Sequence, residues 1–299
     1  MLSPTELQTW HRDGCLVLPG FKSPEQTTAA CRRAQEIVAA FTPGAATSRF
    51  STRNRSQVAD AALLASAEAV HCFFEEEALD ENGRLQVPKE RSINKIGHAL
   101  HDLDPVFDAY SHGPALAELG RDLGLLQPLV WQSQLIFKQP HIGGEVGWHQ
   151  DASFFITTPH TVTTFWFALE DATLDNGCLW VQPGGHCGAN GANGANGAND
   201  ANGAPAVLRE QYVCDHTSGT LRMQALDATP WPTTAEAVPL PVAAGTLIVF
   251  HGLLPHYSAP NRSARRRLAY TLHATDASAA YAPENWLQRS AVLPLRGLL

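Results

Sequence analysis

The chain has 299 residues, 44% of them hydrophobic, so it is long enough to bury a substantial core as one large domain or two small ones. Its formal charge of -8 argues against binding to nucleic acid or anionic membranes, since both require an excess of Lys and Arg on one face. No apolar run approaches the ~20 residues of a membrane span, and the N-terminus lacks the features of a signal peptide. We therefore expect a soluble, cytoplasmic protein with no membrane or nucleic-acid partner.

Two helix starts near the N-terminus carry the same signal. Ser3-Pro4-Thr5-Glu6 and Ser23-Pro24-Glu25-Gln26 each predict a capping box with proline at the first helical position. The second helix is predicted to reach about Phe41, a short strand over 15–19 separates the two, and a further helix is predicted around Val58 to Val70. Residues from 1 to about 90 are therefore predicted to form a helical support that covers a sheet.

From Ser92 onward the sequence favours strands. Residues 92–101 indicate a strand that runs into a helix, and His98 and His101 within it are expected to be structural or surface histidines, since no third ligand lies near them. Runs rich in β-forming residues predict further strands over 129–137, 161–169, 178–181, 245–250 and 268–273. Short strands preceded by helices are typical of an antiparallel β-sandwich or barrel wrapped by helices.

One short stretch, Gly147 to Phe155, contains a histidine and a carboxylate two residues apart in a run that favours an extended backbone. A strand places residues i and i+2 on one face, so His149 and Asp151 can point at one metal ion. A lone pair of this kind is weak evidence, and the alternative is an ordinary hydrogen bond between the two side chains. A non-haem Fe(II) site requires a second histidine.

The candidates for that second histidine are His251, His256 and His273, which lie in strand-like sequence further along the chain. His256 is favoured because a turn-rich segment follows it, and His251 stays open as an alternative. If a hairpin folds about residues 261–262, residue 256 faces Arg267 across an antiparallel pair.

Arg267 is suited to hold a dicarboxylate that chelates the iron, because a guanidinium binds a carboxylate in a bidentate manner and stays charged when buried. Ser258 lies on the same predicted face as His256 and can add a hydroxyl donor. Strand alternation excludes Arg266 but leaves Arg265 open as a substitute for Arg267.

Taken together, these residues resemble the phytanoyl-CoA dioxygenase family of Fe(II)- and 2-oxoglutarate-dependent oxygenases. The similar segments span nearly the whole chain and are residues 92–101, 136–141, 143–146, 149–153, 170–173, 176–180 and 283–288. The resemblance implies one oxygenase domain over 1–299 with a mainly β fold and flanking helices, a double-stranded β-helix (jelly roll) of the cupin-like kind.

The resemblance also implies roles for individual residues. His149, Asp151 and His256 would ligate Fe(II), and Arg267 with Ser258 would hold the distal carboxylate of 2-oxoglutarate, which favours His256 over His251 and Arg267 over Arg265. Four further residues match the co-substrate pocket of the family, namely Lys95, Gln134, Gln150 and Trp166.

We therefore expect a dioxygenase that uses Fe(II), 2-oxoglutarate and O₂ to hydroxylate a small-molecule substrate, with release of succinate and CO₂. The alternatives are a cupin-like metal enzyme that does not use 2-oxoglutarate and a non-catalytic protein that binds a metal or ligand. Three departures from the family pattern put substrate identity in doubt: Trp148, Gly185 in Pro-Gly-Gly-His, and a Gly-Ala-Asn tract at 188–204 that is predicted to be an inserted flexible loop.

Overall fold

The structure is a computed structural model that describes residues 2–43, 49–50, 61–187 and 207–299, with the side chains of 49 and 50 excepted. The helices in these ranges are α1 Pro4–Asp13, α2 Pro24–Ala40, α3 Ala61–Ala65, α4 Leu100–Leu103, α5 Pro105–Ser111 and α6 Pro114–Asp122. The strands are β1 Cys15–Leu18, β2 Arg49–Phe50, β3 Val70–Glu75, β4 Ile93–His98, β5 Pro128–Lys138, β6 Val146–His149, β7 Thr157–Thr158, β8 Thr163–Ala168, β9 Leu179–Val181, β10 Glu210–Asp215, β11 Thr220–Ala225, β12 Val238–Leu240, β13 Leu247–His251, β14 His256–Ser258, β15 Arg267–Asp276 and β16 Ala280–Tyr281.

Both predicted N-terminal helices begin at the predicted caps. The Ser3 hydroxyl accepts from the backbone N–H of Glu6, and the Glu6 carboxylate accepts from the backbone N–H of Ser3 at 2.7 Å. Ser23 and Gln26 repeat this arrangement at the start of α2. Such a cap typically contributes about 0.5–2 kcal/mol, since it satisfies backbone donors that would otherwise lack a partner. Among the described helices none is both long and apolar enough to cross a membrane.

The third predicted helix is shorter than expected. Of the predicted range 58–70, residues 58–60 lie outside the described part of the chain, α3 covers Ala61–Ala65, and a 3₁₀ turn follows at Ser66–Glu68. Val70 already belongs to β3. The Gly-Ala-Asn tract at 188–204 likewise lies outside the described residues.

Two facing sheets form the body of the structure. The larger has eight strands in the order β1-β13-β8-β15-β5-β4-β3-β2, and the smaller has four in the order β12-β9-β14-β6. Pairings within both are antiparallel apart from β2 with β3. The predicted mainly β jelly roll with flanking helices is confirmed.

Strand alternation decides which side chains face the interior between the sheets. In β8, Phe165 and Phe167 pack in one apolar cluster with side chains of the N-terminal helices, whereas Trp166 and Ala168 belong to the cluster between the sheets. In β15 the same alternation turns Arg267, Thr271 and His273 toward the interior. Burying an aromatic or aliphatic side chain contributes about 1.5–3 kcal/mol. The apolar side chains on the outer face of the larger sheet therefore hold the helices against that face.

The expected antiparallel pairing of residue 256 with residue 267 is wrong, because the two residues belong to different sheets. His256 pairs with His149 and Val181 in the smaller sheet, whereas Arg267 pairs with Lys138 in the larger one. The chain between β14 and β15 therefore crosses from one sheet to the other. Arg267 still approaches Ser258, because its side chain reaches across the interior between the sheets.

Candidate metal and co-substrate site

His149, Asp151 and His256 meet at one edge of the smaller sheet. His149 ends β6 and His256 begins β14, and the two residues are direct cross-strand partners. The Asp151 Oδ1 atom lies 3.6 Å from His149 Nε2 and 3.7 Å from His256 Nε2, and the three potential ligand atoms all lie within 4.8 Å of one another. Two imidazoles and one carboxylate in this arrangement match the donor set of non-haem Fe(II) oxygenases.

Backbone carbonyls set the tautomer of both histidines. His149 Nδ1 lies 2.8 Å from the Gly147 carbonyl oxygen, and His256 Nδ1 lies 3.0 Å from that of Leu254. A carbonyl oxygen can only accept, so each imidazole donates from Nδ1, and in its neutral form it carries its lone pair on Nε2. The nitrogens that face Asp151 are thus the ones able to bind a metal.

Asp151 is held in its charged form. Burial alone would raise the pKa of its carboxyl, but the imidazoles of His256, His273 and His149 outweigh burial and hold the pKa well below its usual range. The Thr164 hydroxyl donates to Oδ2 at 2.5 Å, and His273 Nε2 lies 3.4 Å from the same oxygen. Oδ1 is left to face the two histidines, so Thr164 and His273 orient the carboxylate.

The backbone at Asp151 differs from the predicted strand. β6 ends at His149, and Asp151 opens a 3₁₀ turn that continues to Ser153. Gln150 between the two candidate ligands is fully buried and points away from them. Its Nε2 donates to the carbonyls of Val207 and Leu253 at 2.8 and 2.7 Å, and its Oε1 accepts from the Arg209 N–H at 3.0 Å. The structure does not bring Gln150 to a co-substrate position, because all of these partners lie away from the metal-facing atoms.

A cavity of about 220 Å³ opens beside the triad, between the two sheets. The triad lines this cavity, and so do five of the six residues predicted to bind the co-substrate, namely Lys95, Gln134, Trp166, Ser258 and Arg267. Gln150 is the exception.

Arg267 carries a charge into this cavity and is only 1% exposed. Its Nη2 donates to the Ser258 hydroxyl at 3.3 Å and its Nε to the Gly177 carbonyl at 3.2 Å, whereas Nη1 has no hydrogen-bond partner among the described residues. Burial lowers the pKa of Arg267 to about 10, so the group is still a cation at neutral pH. A buried guanidinium with an unused N–H fits an anionic ligand such as a carboxylate.

The neighbouring arginines are placed differently. Arg265 is exposed and precedes β15, and Arg266 forms an ion pair with Glu170 at 2.7 Å. Of the three residues of this basic run, Arg267 is therefore the one that lines the cavity.

Other polar groups line the same cavity. Burial lowers the pKa of Lys95 to about 7, against the opposing effect of the Asp151 charge. Gln134 donates to the side chain of Gln132. Its own Oε1 and the Thr271 hydroxyl have no hydrogen-bond partner among the described residues. The Trp166 ring lies 5.6 Å from the guanidinium carbon of Arg267. These groups can orient a small polar molecule, and Thr271 was missed by the sequence reasoning.

The remaining histidines separate into different surroundings. His251 packs near Trp10 and His186, with ring centroids 6.3 and 5.4 Å away, so it does not approach Asp151 as a third ligand would. His101 is fully buried and hydrogen-bonds to Ser133, in agreement with a structural role. His98 is also buried, but it borders the cavity.

Trp148 was expected to lie near the substrate entrance. Its ring stacks on that of Tyr257, with centroids 5.3 Å apart. Tyr257 lines the cavity and Trp148 does not, within the described part of the chain. Trp148 therefore contacts a residue of the cavity wall without lining the cavity itself.

Comparison with known proteins agrees with this geometry. The family model described as phytanoyl-CoA dioxygenase (PhyH) matches residues 10–269. The chain belongs to the phytanoyl-CoA dioxygenase family. Phytanoyl-CoA dioxygenase domain-containing protein 1 of Bos taurus is 43% identical over 300 residues, covering 98% of this chain and 97% of the relative. Phytanoyl-CoA dioxygenase of Arabidopsis thaliana is 37% identical over 290 residues, covering 97% and 94%.

Solved structures share the fold of this phytanoyl-CoA dioxygenase family member. The epimerase SnoN, in complex with Fe3+, alpha ketoglutarate and nogalamycin RO, superposes with a TM-score of 0.61 at 16% identity, covering 99% of this chain and 94% of SnoN. EctD from S. alaskensis, with 2-oxoglutarate and 5-hydroxyectoine, gives a TM-score of 0.60 at 19% identity, covering 99% and 84%. The expected family and enzyme class, a dioxygenase, are confirmed.

Proposed function

We propose that this phytanoyl-CoA dioxygenase family member uses Fe(II), 2-oxoglutarate and O₂ to oxidise a small molecule, by hydroxylation, and releases succinate and CO₂. The observation that carries the proposal is the combination in one cavity of the His149, Asp151 and His256 donor set with the buried Arg267 guanidinium. A metal enzyme that does not use 2-oxoglutarate would have no use for such a buried cation. The solved structures of SnoN and EctD that contain 2-oxoglutarate or alpha ketoglutarate support the same proposal.

Each side chain has a separate task in this reaction. The Nε2 atoms of His149 and His256 and the Asp151 carboxylate would hold the iron, which together with 2-oxoglutarate supplies the oxidising chemistry when bound. His273 helps to keep the carboxylate charged, and Thr164 and His273 orient it. The retained carboxylate favours hydroxylation over halogenation, which would need a small residue at that position.

The co-substrate would be positioned by a wall of the cavity to which both sheets contribute, with Arg267 from β15 and Ser258 from β14. Arg267 would bind its distal carboxylate through a charge-assisted hydrogen bond from Nη1. The Ser258 hydroxyl donates to the Gly177 carbonyl at 3.2 Å and would rotate to donate to the same carboxylate. Lys95 and Gln134 lie between this wall and the metal ligands along the larger sheet, where they can orient the rest of the molecule. The buried Trp166 ring lies beside the guanidinium and would help to keep water from that side of the cavity, which would strengthen those electrostatic contacts.

The test is anaerobic binding of Fe(II) and 2-oxoglutarate, followed by a screen for succinate release with free carboxylic acids, amino acids, specialised metabolites and acyl-CoA thioesters. We expect 2-oxoglutarate to bind only when the metal is present and the right substrate to stimulate succinate release. Asp151→Ala should abolish both effects, with Glu170→Ala as a carboxylate control outside the cavity. Failure of the wild-type protein to bind 2-oxoglutarate would overturn the proposal in favour of a different metal enzyme or a binding protein.

A further inference from the structure

His98 ends β4 and borders the cavity, although none of the tasks above uses it. The side chain is 1% exposed overall. The Trp286 ring packs edge-on against the imidazole with centroids 5.1 Å apart, and the Phe73 ring lies 5.6 Å away on centroids. The imidazole is thus held in one orientation by packing.

A short hydrogen-bond relay fixes the position of the His98 proton. The Ser66 hydroxyl lies 2.5 Å from the Leu63 carbonyl oxygen and 2.8 Å from His98 Nδ1. The carbonyl can only accept, so the single hydroxyl proton of Ser66 is donated to Leu63. Ser66 Oγ must therefore accept from His98, which places the imidazole proton on Nδ1.

The ring is also neutral. Burial lowers the pKa of His98 well below its ordinary value, and the positive charge of Lys95 lowers it further. A neutral imidazole with its proton on Nδ1 has a lone pair on Nε2, which makes that atom an acceptor and not a donor. Among the described residues Nε2 has no hydrogen-bond partner.

The cavity that His98 borders has polar lining groups, among them Lys95 and His273, and an apolar part. Leu63, Phe154, Tyr212, Met223 and Trp286 line it, and Tyr212 and Met223 are cross-strand partners in the β10–β11 hairpin. A fixed acceptor on the wall of a buried cavity selects for a hydrogen-bond donor, because a ligand without one leaves the acceptor unpaired.

We propose that His98 is a substrate-recognition residue whose Nε2 accepts a hydrogen bond from a hydroxyl or N–H group of an otherwise apolar small molecule. The inference rests on the proposed function only in calling that molecule the substrate. The donor preference itself belongs to the cavity and does not require iron or 2-oxoglutarate.

The first test is the tautomer, read by ¹⁵N NMR of the wild-type protein labelled at histidine. We expect His98 to show a protonated Nδ1 and an unprotonated Nε2 from pH 6 to 8. An imidazole protonated on Nε2 in this range would overturn the inference. Because this measurement uses the unaltered protein, it does not depend on how any variant folds.

The second test uses benzyl alcohol and toluene as matched probes, which differ in the hydroxyl group. Binding is followed by NMR at the Trp286 indole and His98 imidazole resonances, without metal and again with Fe(II) and 2-oxoglutarate under anaerobic conditions. We expect wild type to prefer benzyl alcohol by about three- to tenfold, the range of one net hydrogen bond. His98→Phe should remove that preference, Ser66→Ala should reduce it, and His11→Phe, an exposed position on α1, should leave it unchanged.

The same titrations keep the two proposals separate. Equal binding of both probes to the wild-type protein, or an undiminished preference in His98→Phe, would overturn the role of His98 even if 2-oxoglutarate binds. A donor preference that depends on His98 would uphold that role even if 2-oxoglutarate failed to bind, which would overturn the proposed function alone.

Discussion

Arg267 is a buried guanidinium with no ion-pair partner among the described side chains. Hydrogen bonds to charged groups contribute about 1.5–3 kcal/mol, so Arg267→Ala should weaken 2-oxoglutarate binding by about 10- to 100-fold. Arg267→Lys should recover only part of the affinity, because an ammonium lacks the planar fork. Calorimetric titration in the presence of Fe(II) measures the change.

Arg265→Ala is the matched control for this prediction, since Arg265 is exposed and lies two residues before the start of β15. Its affinity for 2-oxoglutarate should equal that of wild type. Wild-type affinity in Arg267→Ala would instead favour a metal enzyme that needs no dicarboxylate.

At the residue scale, the sequence allowed the metal-binding residues to be chosen but not the residues that support them. His149 and Asp151 could be found because two adjacent ligands form a recognisable motif. Thr164 and His273 contact Asp151 from two separate strands of the larger sheet, and no local motif marks a threonine as the partner of a distant carboxylate. Strand alternation gave a partial signal, since it places Thr164 on the same face as Trp166.

At the scale of elements, most strands were predictable, whereas their partners were not. β5, β8, β13 and β15 follow the predicted apolar runs within two or three residues. The turn after β14 suggested a hairpin, but the chain passes instead into the opposite sheet. Turn residues indicate where a chain bends, and which sheet it joins depends on packing across the whole jelly roll.

Gln150 connects three separate segments, and its role is best tested as that of a positioning residue. Gln150→Leu removes the partner of the buried Leu253 carbonyl and Arg209 N–H and of the partly buried Val207 carbonyl. Unfolding in urea should show a loss of stability on the order of 2–4 kcal/mol. The affinity of the folded, metal-saturated protein for 2-oxoglutarate should change by less than about threefold, because a side chain outside the cavity contributes no contact to the ligand.

Gln134→Leu is the matched variant, since Gln134 lines the cavity. It should have the opposite profile, with a larger effect on 2-oxoglutarate affinity than on stability. If Gln150→Leu instead lost affinity as Gln134→Leu does, the predicted co-substrate role of Gln150 would be restored.

The molecule as a whole contains more titratable groups that destabilise it at alkaline pH than groups that stabilise it. Burial raises the pKa of five thiols, those of Cys15, Cys31, Cys72, Cys178 and Cys214. Burial also lowers the pKa of Lys22 to about 8, which acts in the opposite direction. Burial shifts the pKa values of Lys95 and Lys138 in the same direction as that of Lys22. Three lysines still do not offset five thiols, so stability should decrease above about pH 9.

Cys15 and Cys72 provide the quantitative test, because burial raises the pKa of each from 9.0 to about 12. Between these values the unfolded chain has lost a proton that the folded chain retains, so the free energy of unfolding falls as pH rises. Each thiol should account for a loss of about 2 kcal/mol between pH 8 and pH 10.5. The measurement is urea unfolding under reducing conditions of the Cys15→Ala/Cys72→Ala double variant. At pH 7 this variant should be less stable than wild type, because two small cavities remain. Between pH 8 and pH 10.5 its free energy of unfolding should fall by about 4 kcal/mol less than that of wild type. Parallel pH profiles for the two proteins would mean that these thiols ionise as readily in the folded chain as in the unfolded one.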